Sequence, residues 1–305
     1  MKIPAAAKVR VPGTTANCGP GFDALGMACT VYNELELVLS EQGNLEIEVE
    51  GEGRQIIPRD ERNIAFQAVG RVLERVGLRH KFQGVRISMR NNIPLARGLG
   101  SSAAAIVAGL VAANAATGNQ LEAGEVLNLA AELEGHPDNV APALLGGITV
   151  SVMSGGRAQT LRFQPPDGLA LVVAVPEFVL PTKTARQALP QSVPFQDAVF
   201  NVSRTGLLVG ALCTGQLDYL RLALEDRLHQ PYRQRLIPGM RDVFAAALED
   251  GALGVAISGA GPSLVAFSSG KAEAIGTAMV EAFQRHKIKA SYTVLNVDKE
   301  GARLM

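Results

Sequence analysis

Pro94-Leu95-Ala96-Arg97-Gly98-Leu99-Gly100-Ser101-Ser102-Ala103 joins a strand-like segment, Gly84 to Met89, to an alanine-rich run without proline, Ser101 to Ala116, that reads as a buried helix. Two glycines precede two serines, and the serines stand where a helix N-cap belongs. A helix N-terminus carries unpaired N–H groups and about half a positive charge. Glycines without Cβ let a polyphosphate approach the backbone. Taken alone, the segment fits an ordinary glycine turn with a serine cap as well as it fits a phosphate site. It is not a P-loop, because no lysine follows the glycines. A dinucleotide fingerprint would need a third glycine where Ala103 stands, and an acidic strand end about 20 positions on, where Glu122 and Glu125 sit within a helix pattern.

On the N-terminal side of this loop, Lys8 to Val11 reads as a short strand, followed by a glycine-rich turn from Pro12-Gly13 to Gly19-Pro20-Gly21. Glu34 to Leu39 and Leu45 to Val49 alternate with period two, as half-buried strands do. Asn63 to Val76 has helical spacing and stops at Gly77. On the C-terminal side, Leu121 to Leu133 predicts a helix and Gly146 to Met153 a strand, before the turn Ser154-Gly155-Gly156. Pro165-Pro166-Asp167-Gly168 is the strongest linker signal. Beyond it, strands are expected at Leu169 to Val175, Val255 to Ser258, Ser263 to Phe267 and Tyr292 to Val297. Helices are expected at Val199 to Leu212, Leu217 to Leu224, Met240 to Leu248 and Ala272 to Arg285. The order is an α+β mixture with a break between Ser154 and Gly168.

The length of 305 residues suits one large domain or two intimate ones, at about 150 residues per domain. Hydrophobic residues make up 47% and charged residues 19%, enough apolar material for a core. Lys+Arg and Asp+Glu are both 29, so the basic excess of a nucleic-acid binder is missing. The longest apolar-plus-glycine stretch, Ala103 to Ala113, is too short for a bilayer, which needs about 20 residues. The opening MKIPAAAKVRVPG lacks the apolar core of a signal peptide. Cys18, Cys29 and Cys213 form no even framework and no CxxC pair, which fits a reducing compartment. The expectation is a cytoplasmic protein that binds neither nucleic acid nor membrane. Only eight residues are lysine, and none lies between Lys81 and Lys183, the stretch that holds the glycine loop.

That loop resembles the P-x-x-x-G-L-G-S-S-A signature of the GHMP kinases. Two further segments resemble the family's other signatures: Val11-Pro12-Gly13-Thr14-Thr15-Ala16-Asn17-Cys18-Gly19-Pro20-Gly21-Phe22-Asp23, and Gly259-Ala260-Gly261-Pro262-Ser263 preceded by Ile257-Ser258. All three stand in order over almost the whole chain. The resemblance implies an α+β architecture of two domains. The first, 1–160, would be an α/β domain like ribosomal protein S5 domain 2, and the second, 161–305, a ferredoxin-like domain, with the site in the cleft between them. It implies ATP as co-substrate and Mg²⁺, and it allows a homodimer.

Many family members carry a lysine just after the Pro-Gly of the first signature, where Thr14-Thr15 stand here. The form P-G-T/S-x-A-N-x-G-P-G-F-D resembles the branch that phosphorylates the side-chain hydroxyl of L-homoserine in threonine biosynthesis. So do Glu132 to Pro142 (ELEGHPDNVAP), Pro181 to Arg186 (PTKTAR) and Pro231 to Gly239 (PYRQRLIPG). The resemblance assigns Asn17 and Asp23 to the ammonium and hydroxyl end of that substrate. It assigns Arg186 and Arg233 to the carboxylate, which a planar guanidinium binds best, with Thr182 and His136 as polar walls. Pro94 to Ala104 would hold the nucleotide phosphates, Ser101 and Glu134 the Mg²⁺, and Asn63 the adenine. Glu132 competes with Glu134, two residues away on a helix. Asn139 is the candidate polar contact at the reacting hydroxyl and Asp138 a candidate base, and which of them faces the substrate stays open. Two other readings share the fold: a kinase for mevalonate-type alcohols, which lack an ammonium, and a nucleotide sensor without catalysis.

Overall fold

The computed structural model describes residues 6–305; residues 1–5, which open the segment expected to lack a signal peptide core, lie outside them. The first half runs β1 (Ala6–Ala16), β2 (Leu25–Ser40), β3 (Leu45–Gly51), α1 (Ile64–Arg75), β4 (Gly84–Asn91), α2 (Ser101–Ala116), α3 (Ala123–Glu134), α4 (Pro137–Leu145), β5 (Ile148–Ser154) and β6 (Arg157–Phe163). The second half runs β7 (Ala170–Pro176), α5 (Thr182–Gln187), α6 (Phe195–Thr214), α7 (Leu220–Ala223), α8 (Gln230–Arg233), α9 (Met240–Glu249), β8 (Gly254–Ile257), β9 (Leu264–Ser268), α10 (Ala272–Arg285), β10 (Ala290–Asn296) and β11 (Arg303–Leu304).

One sheet has the order β11-β1-β2-β4-β3, with β5 pairing to β2 and β6 to β5. Within it β3 and β4 are parallel, and α1 makes the crossover that parallel strands need. The second sheet has the order β10-β7-β9-β8 and is antiparallel throughout. Its chain order is strand, helices, strand, strand, helix, strand, the ferredoxin-like arrangement that was expected.

Several strands are longer than their patterns suggest. β2 has 16 residues, because Leu25 to Cys29 are buried on both faces and so lose the period-two alternation. β1 continues through Pro12-Gly13, expected as a turn, to Ala16; the register shifts between those two residues, where a bulge accommodates the proline. α4 was missed because it holds Pro137 and Pro142. The segment expected as one helix from Leu217 is a 3₁₀ turn, Leu217–Tyr219, followed by the single turn of α7.

The helix α2 explains how the glycine loop is held. Only Ser102 and Val111 of its residues escape burial, so its composition shows no polar face. It packs against β1, β2, α1, α3 and α4. Small side chains permit this: at Gly109 an added Cβ would lie 2.4 Å from Ala65 O of α1. The core continues into the second half, joining Leu25 and Met27 with Leu208, Leu224 and Phe267. The chain end returns to the first sheet. The Asp298 carboxylate accepts from the N–H groups of Glu300 and Gly301 and from Tyr32 Oη, and β11 pairs with β1.

Candidate active site

Three segments distant in sequence close into one wall. The Thr14 N–H donates to Leu99 O (3.0 Å), the Gly259 N–H to Ala16 O (3.0 Å) and the Ser263 N–H to Arg97 O (3.3 Å). Ser258 Oγ lies 2.7 Å from Gly98 O and 2.9 Å from Thr15 Oγ1. Asn17, at φ 69°, uses both ends of its amide: Nδ2 donates to Gly259 O (2.7 Å) and Oδ1 accepts from the Asp23 N–H (3.0 Å). All three family signatures therefore touch. Beside them is a cleft of about 260 Å³, lined by Leu95 to Ser102 on one side and by Asp23, Thr182, Arg186 and Arg233 on the other.

The serines do not cap α2. Its N-cap is Gly100, at φ 66°, with no side-chain cap bond, and Ser101 and Ser102 are the first two helical residues. The leading N–H groups of a long helix are thus left without a side-chain cap beside the cleft, a site that favours anions. An added Cβ at Gly98 would lie 2.2 Å from Ser258 O, and one at Gly100 would lie 1.9 Å from Thr14 Oγ1. Of the expected phosphate loop, Leu95 to Ser102 line the cleft, whereas Pro94, Ala103 and Ala104 do not. Ala103 and Ala104 are fully buried in the core. Asn63 is also elsewhere. Its buried side chain caps α1, accepting from the N–H groups of Ala65 and Phe66 and donating to Pro58 O, with Met89 Sδ 3.8 Å from Nδ2.

The hydroxyl that meets Glu134 belongs to Ser102, not to Ser101: Ser102 Oγ donates to Oε1 at 2.9 Å, with Oε2 at 3.2 Å. Burial raises the Glu134 pKa, and the Ser102 bond offsets part of that. Glu132 points away from the cleft and pairs with Arg71 at 3.6 Å. Among the described residues, no group of three or more His, Cys, Asp or Glu could hold a metal by itself.

At the other end, Asp23 and Arg186 form a bidentate pair, Nη1 to Oδ2 at 3.0 Å and Nη2 to Oδ1 at 2.9 Å. The pair is more than a third exposed to the cleft. Arg233 is only 1% exposed, and burial brings its pKa down to about 10, with Arg186 adding to the effect. His136 Nδ1 donates to Asp138, in the first turn of α4. Burial works against a charged His136, but the Asp138 carboxylate and Glu134 outweigh it, and its pKa is raised. Asn139 Oδ1 accepts from Thr14 Oγ1 at 2.8 Å, so this threonine joins α4 to β1.

Sequence reasoning missed the layer beneath the arginines. The Phe22 ring stacks on His229 at 4.9 Å and lies under the guanidinium groups of Arg233 (5.2 Å) and Arg186 (5.9 Å). A signal was present: His229 and Arg233 are four apart, the spacing of one helix face.

The homoserine kinase of Moorella thermoacetica is 48% identical to this chain, over 96% of it and 98% of the relative. The chain belongs to the homoserine kinase family. The homoserine kinase of Carboxydothermus hydrogenoformans is 47% identical, covering 96% of this chain and 95% of that one. The crystal structure of homoserine kinase from Cytophaga hutchinsonii superposes with a TM-score of 0.91 at 35% identity, covering 100% of this chain and 99% of that chain. The model of the GHMP kinases N terminal domain matches 63–147 and that of the GHMP kinases C terminal domain matches 208–285. The homoserine kinase fold thus accounts for both sheets and for the cleft at their junction.

Proposed function

We propose that this cleft transfers the γ-phosphoryl group of ATP to the side-chain hydroxyl of L-homoserine, giving O-phospho-L-homoserine and ADP. The observation that carries this reading is the convergence of two chemistries on one cleft. A glycine loop at an open helix N-terminus faces a carboxylate and two guanidinium groups. The first suits a polyphosphate; the second suits a zwitterion of one ammonium and one carboxylate.

The N–H groups at the start of α2, with Leu95 to Ser102, take the phosphates. Asp23 receives the ammonium. Arg186 and Arg233 receive the carboxylate, so binding exchanges the Asp23–Arg186 pair for two pairs with the substrate. Phosphoryl transfer has a loose transition state, and positioning and charge stabilisation supply most of the catalysis. No strong base is required. Asp138 is bonded to His136 and raises its pKa, which gives this carboxylate a positioning role. Asn139, held from behind by the buried Thr14 hydroxyl, lines the cleft beside the acceptor hydroxyl. Ser102 and Glu134 fit Mg²⁺, which takes one or two protein oxygens and completes its shell with water and phosphate; burial already penalises the Glu134 charge, and a cation there would relieve it. Bound with the nucleotide, Mg²⁺ supplies charge neutralisation at the phosphate oxygens.

A coupled ADP-release assay with L-homoserine tests the reading, and mevalonate-type alcohols without an ammonium should give no turnover. Arg186→Ala should raise KM for L-homoserine roughly tenfold to a hundredfold, the loss of a charge-assisted contact, with KM for ATP unchanged. Absence of ADP release with L-homoserine would sink the assignment.

A further inference from the structure

We propose that His229 is a positioning residue for substrate recognition: its imidazole holds the Arg233 guanidinium so that Nη2 alone is left for the substrate carboxylate. The inference rests on the reading of Arg233 as a carboxylate partner and adds the device that aims it.

Two contacts determine the state of the ring. His229 Nε2 is 2.8 Å from Gly19 O, and a carbonyl only accepts, so Nε2 carries the proton. His229 Nδ1 is 3.2 Å from Arg233 Nη1, and a guanidinium only donates, so Nδ1 is bare. Together they specify the neutral Nε2–H tautomer; a charged ring would set one N–H against another. The charged groups around the ring are Asp226, Arg233 and Asp23. Asp226 Oδ2 is 3.7 Å from Nε2 but accepts from the N–H groups of His229 (2.9 Å) and Gln230 (2.6 Å), while its Oδ1 accepts from Leu228 N–H and Asn201 Nδ2. Burial pushes the ring pKa down to about 4 against the pull of Asp226.

The consequence falls on Arg233. Its Nη1 donates to His229 Nδ1 and to Gly259 O (3.1 Å), and Nε reaches Ala185 O at 3.4 Å. No described residue accepts from Nη2, although the side chain lines the cleft. Without an acceptor at the Nδ1 position, the buried guanidinium could turn and lose this aim.

Two substitutions separate this role from packing. In His229→Asn, Oδ1 takes the place of Nδ1 and still accepts from Arg233. In His229→Gln, the amide reaches the Nε2 position and serves Gly19 only. Both lose the ring and its stack on Phe22. The Gln variant should raise KM for L-homoserine roughly fivefold or more above the Asn variant, the weight of one hydrogen bond near a charge, with KM for ATP equal in the two. That difference should vanish with 3-aminopropanol, which has the ammonium and hydroxyl but no carboxylate. Equal KM values for L-homoserine in the two variants would overturn the proposal, as would a difference that persists with 3-aminopropanol. Arg233→Lys distinguishes the two layers: if it leaves KM for L-homoserine unchanged, the reading of Arg233 fails and the positioning role falls with it. If it raises KM while the Asn and Gln variants agree, only the His229 role fails.

Discussion

Gly100 is the residue on which the proposed nucleotide end of the cleft depends. Its φ of 66° is a conformation that costs other residues about 1–2 kcal/mol. A Cβ there would also lie 1.9 Å from Thr14 Oγ1 and 3.2 Å from Asn139 Oδ1, displacing the bond between them. Gly100→Ala is expected to weaken ATP binding roughly tenfold or more, through strain and loss of backbone approach, in a calorimetric titration. Lys81→Ala should leave that affinity within about twofold, since Lys81 is half-buried and does not line the cleft. An unchanged ATP Kd for Gly100→Ala would remove the phosphate-cradle reading. At this scale the motifs named Gly98, Gly100, Asp23 and Arg233 because glycine and fork-like arginine each have few substitutes for their tasks. They named Glu134 with Glu132 as its competitor, and paired Glu134 with Ser101 where the structure shows Ser102. Glu132 and Glu134 are about 200° apart around a helix, and which one faces the cleft depends on how α3 is docked. Ser101 and Ser102 differ by about 100°, and only the start of α2 at Gly100 decides between them.

Among the elements, α2 fixes the loop by being buried on nearly every side, and α1 crosses it at Gly109. Glycine to alanine in a helix normally stabilises by about 1 kcal/mol. At Gly109 the sign should reverse, because the new methyl meets a backbone carbonyl 2.4 Å away that cannot easily yield. Gly206, on the exposed face of α6, has nothing within 4 Å of its would-be Cβ. Urea denaturation should therefore show Gly109→Ala destabilised by about 1–3 kcal/mol and Gly206→Ala stabilised by about 0.5–1 kcal/mol. Two changes of the same sign would refute the packing account. α2 and α10 were legible to the residue: the first from an alanine-rich run without proline, the second from apolar residues at helical spacing (Ile275, Met279, Ala282, Phe283). α4 was not, because two prolines and a charged first turn read locally as loop; burial of Val140, Ala141 and Ala143 against β2 and β5 makes it a helix.

Across the whole molecule, the two halves meet at a seam that includes His229. Its ring joins Gly19, in the connection between β1 and β2, to Arg233, at the end of α8. The native pKa of about 4 lies below the ordinary 6.5, so the unfolded chain takes up the proton first. The stability that the neutral ring contributes is complete above pH about 6.5 and is lost as pH falls toward about 4. His136 has the opposite sign: its pKa is raised, so its contribution is present below the ordinary value and lost as pH rises through the native one. Thermal melts of the wild type should fall more steeply between pH 6.5 and 4 than those of His229→Asn. Parallel slopes would mean that the ring is not neutral in the native state. The spacing of four to Arg233 is local, but nothing local in the sequence placed His229 at this seam, because its other partner, Gly19, is 210 residues away.

The amino-acid sequence by itself determined the class of the fold, the family and the glycine loop that opens α2 beside the cleft. These depend on short-range patterns: glycines before a helix, alanine spacing, and signatures whose residues lie close along the chain. The tertiary structure decided which of two neighbouring serines meets Glu134, that Asn63 caps a helix, that Asp23 and Arg186 hold each other, and that a neutral histidine aims Arg233. Each of these is a choice of partner between segments far apart in sequence. Such choices follow from docking of whole elements, and no local pattern encodes the angle at which two buried surfaces settle.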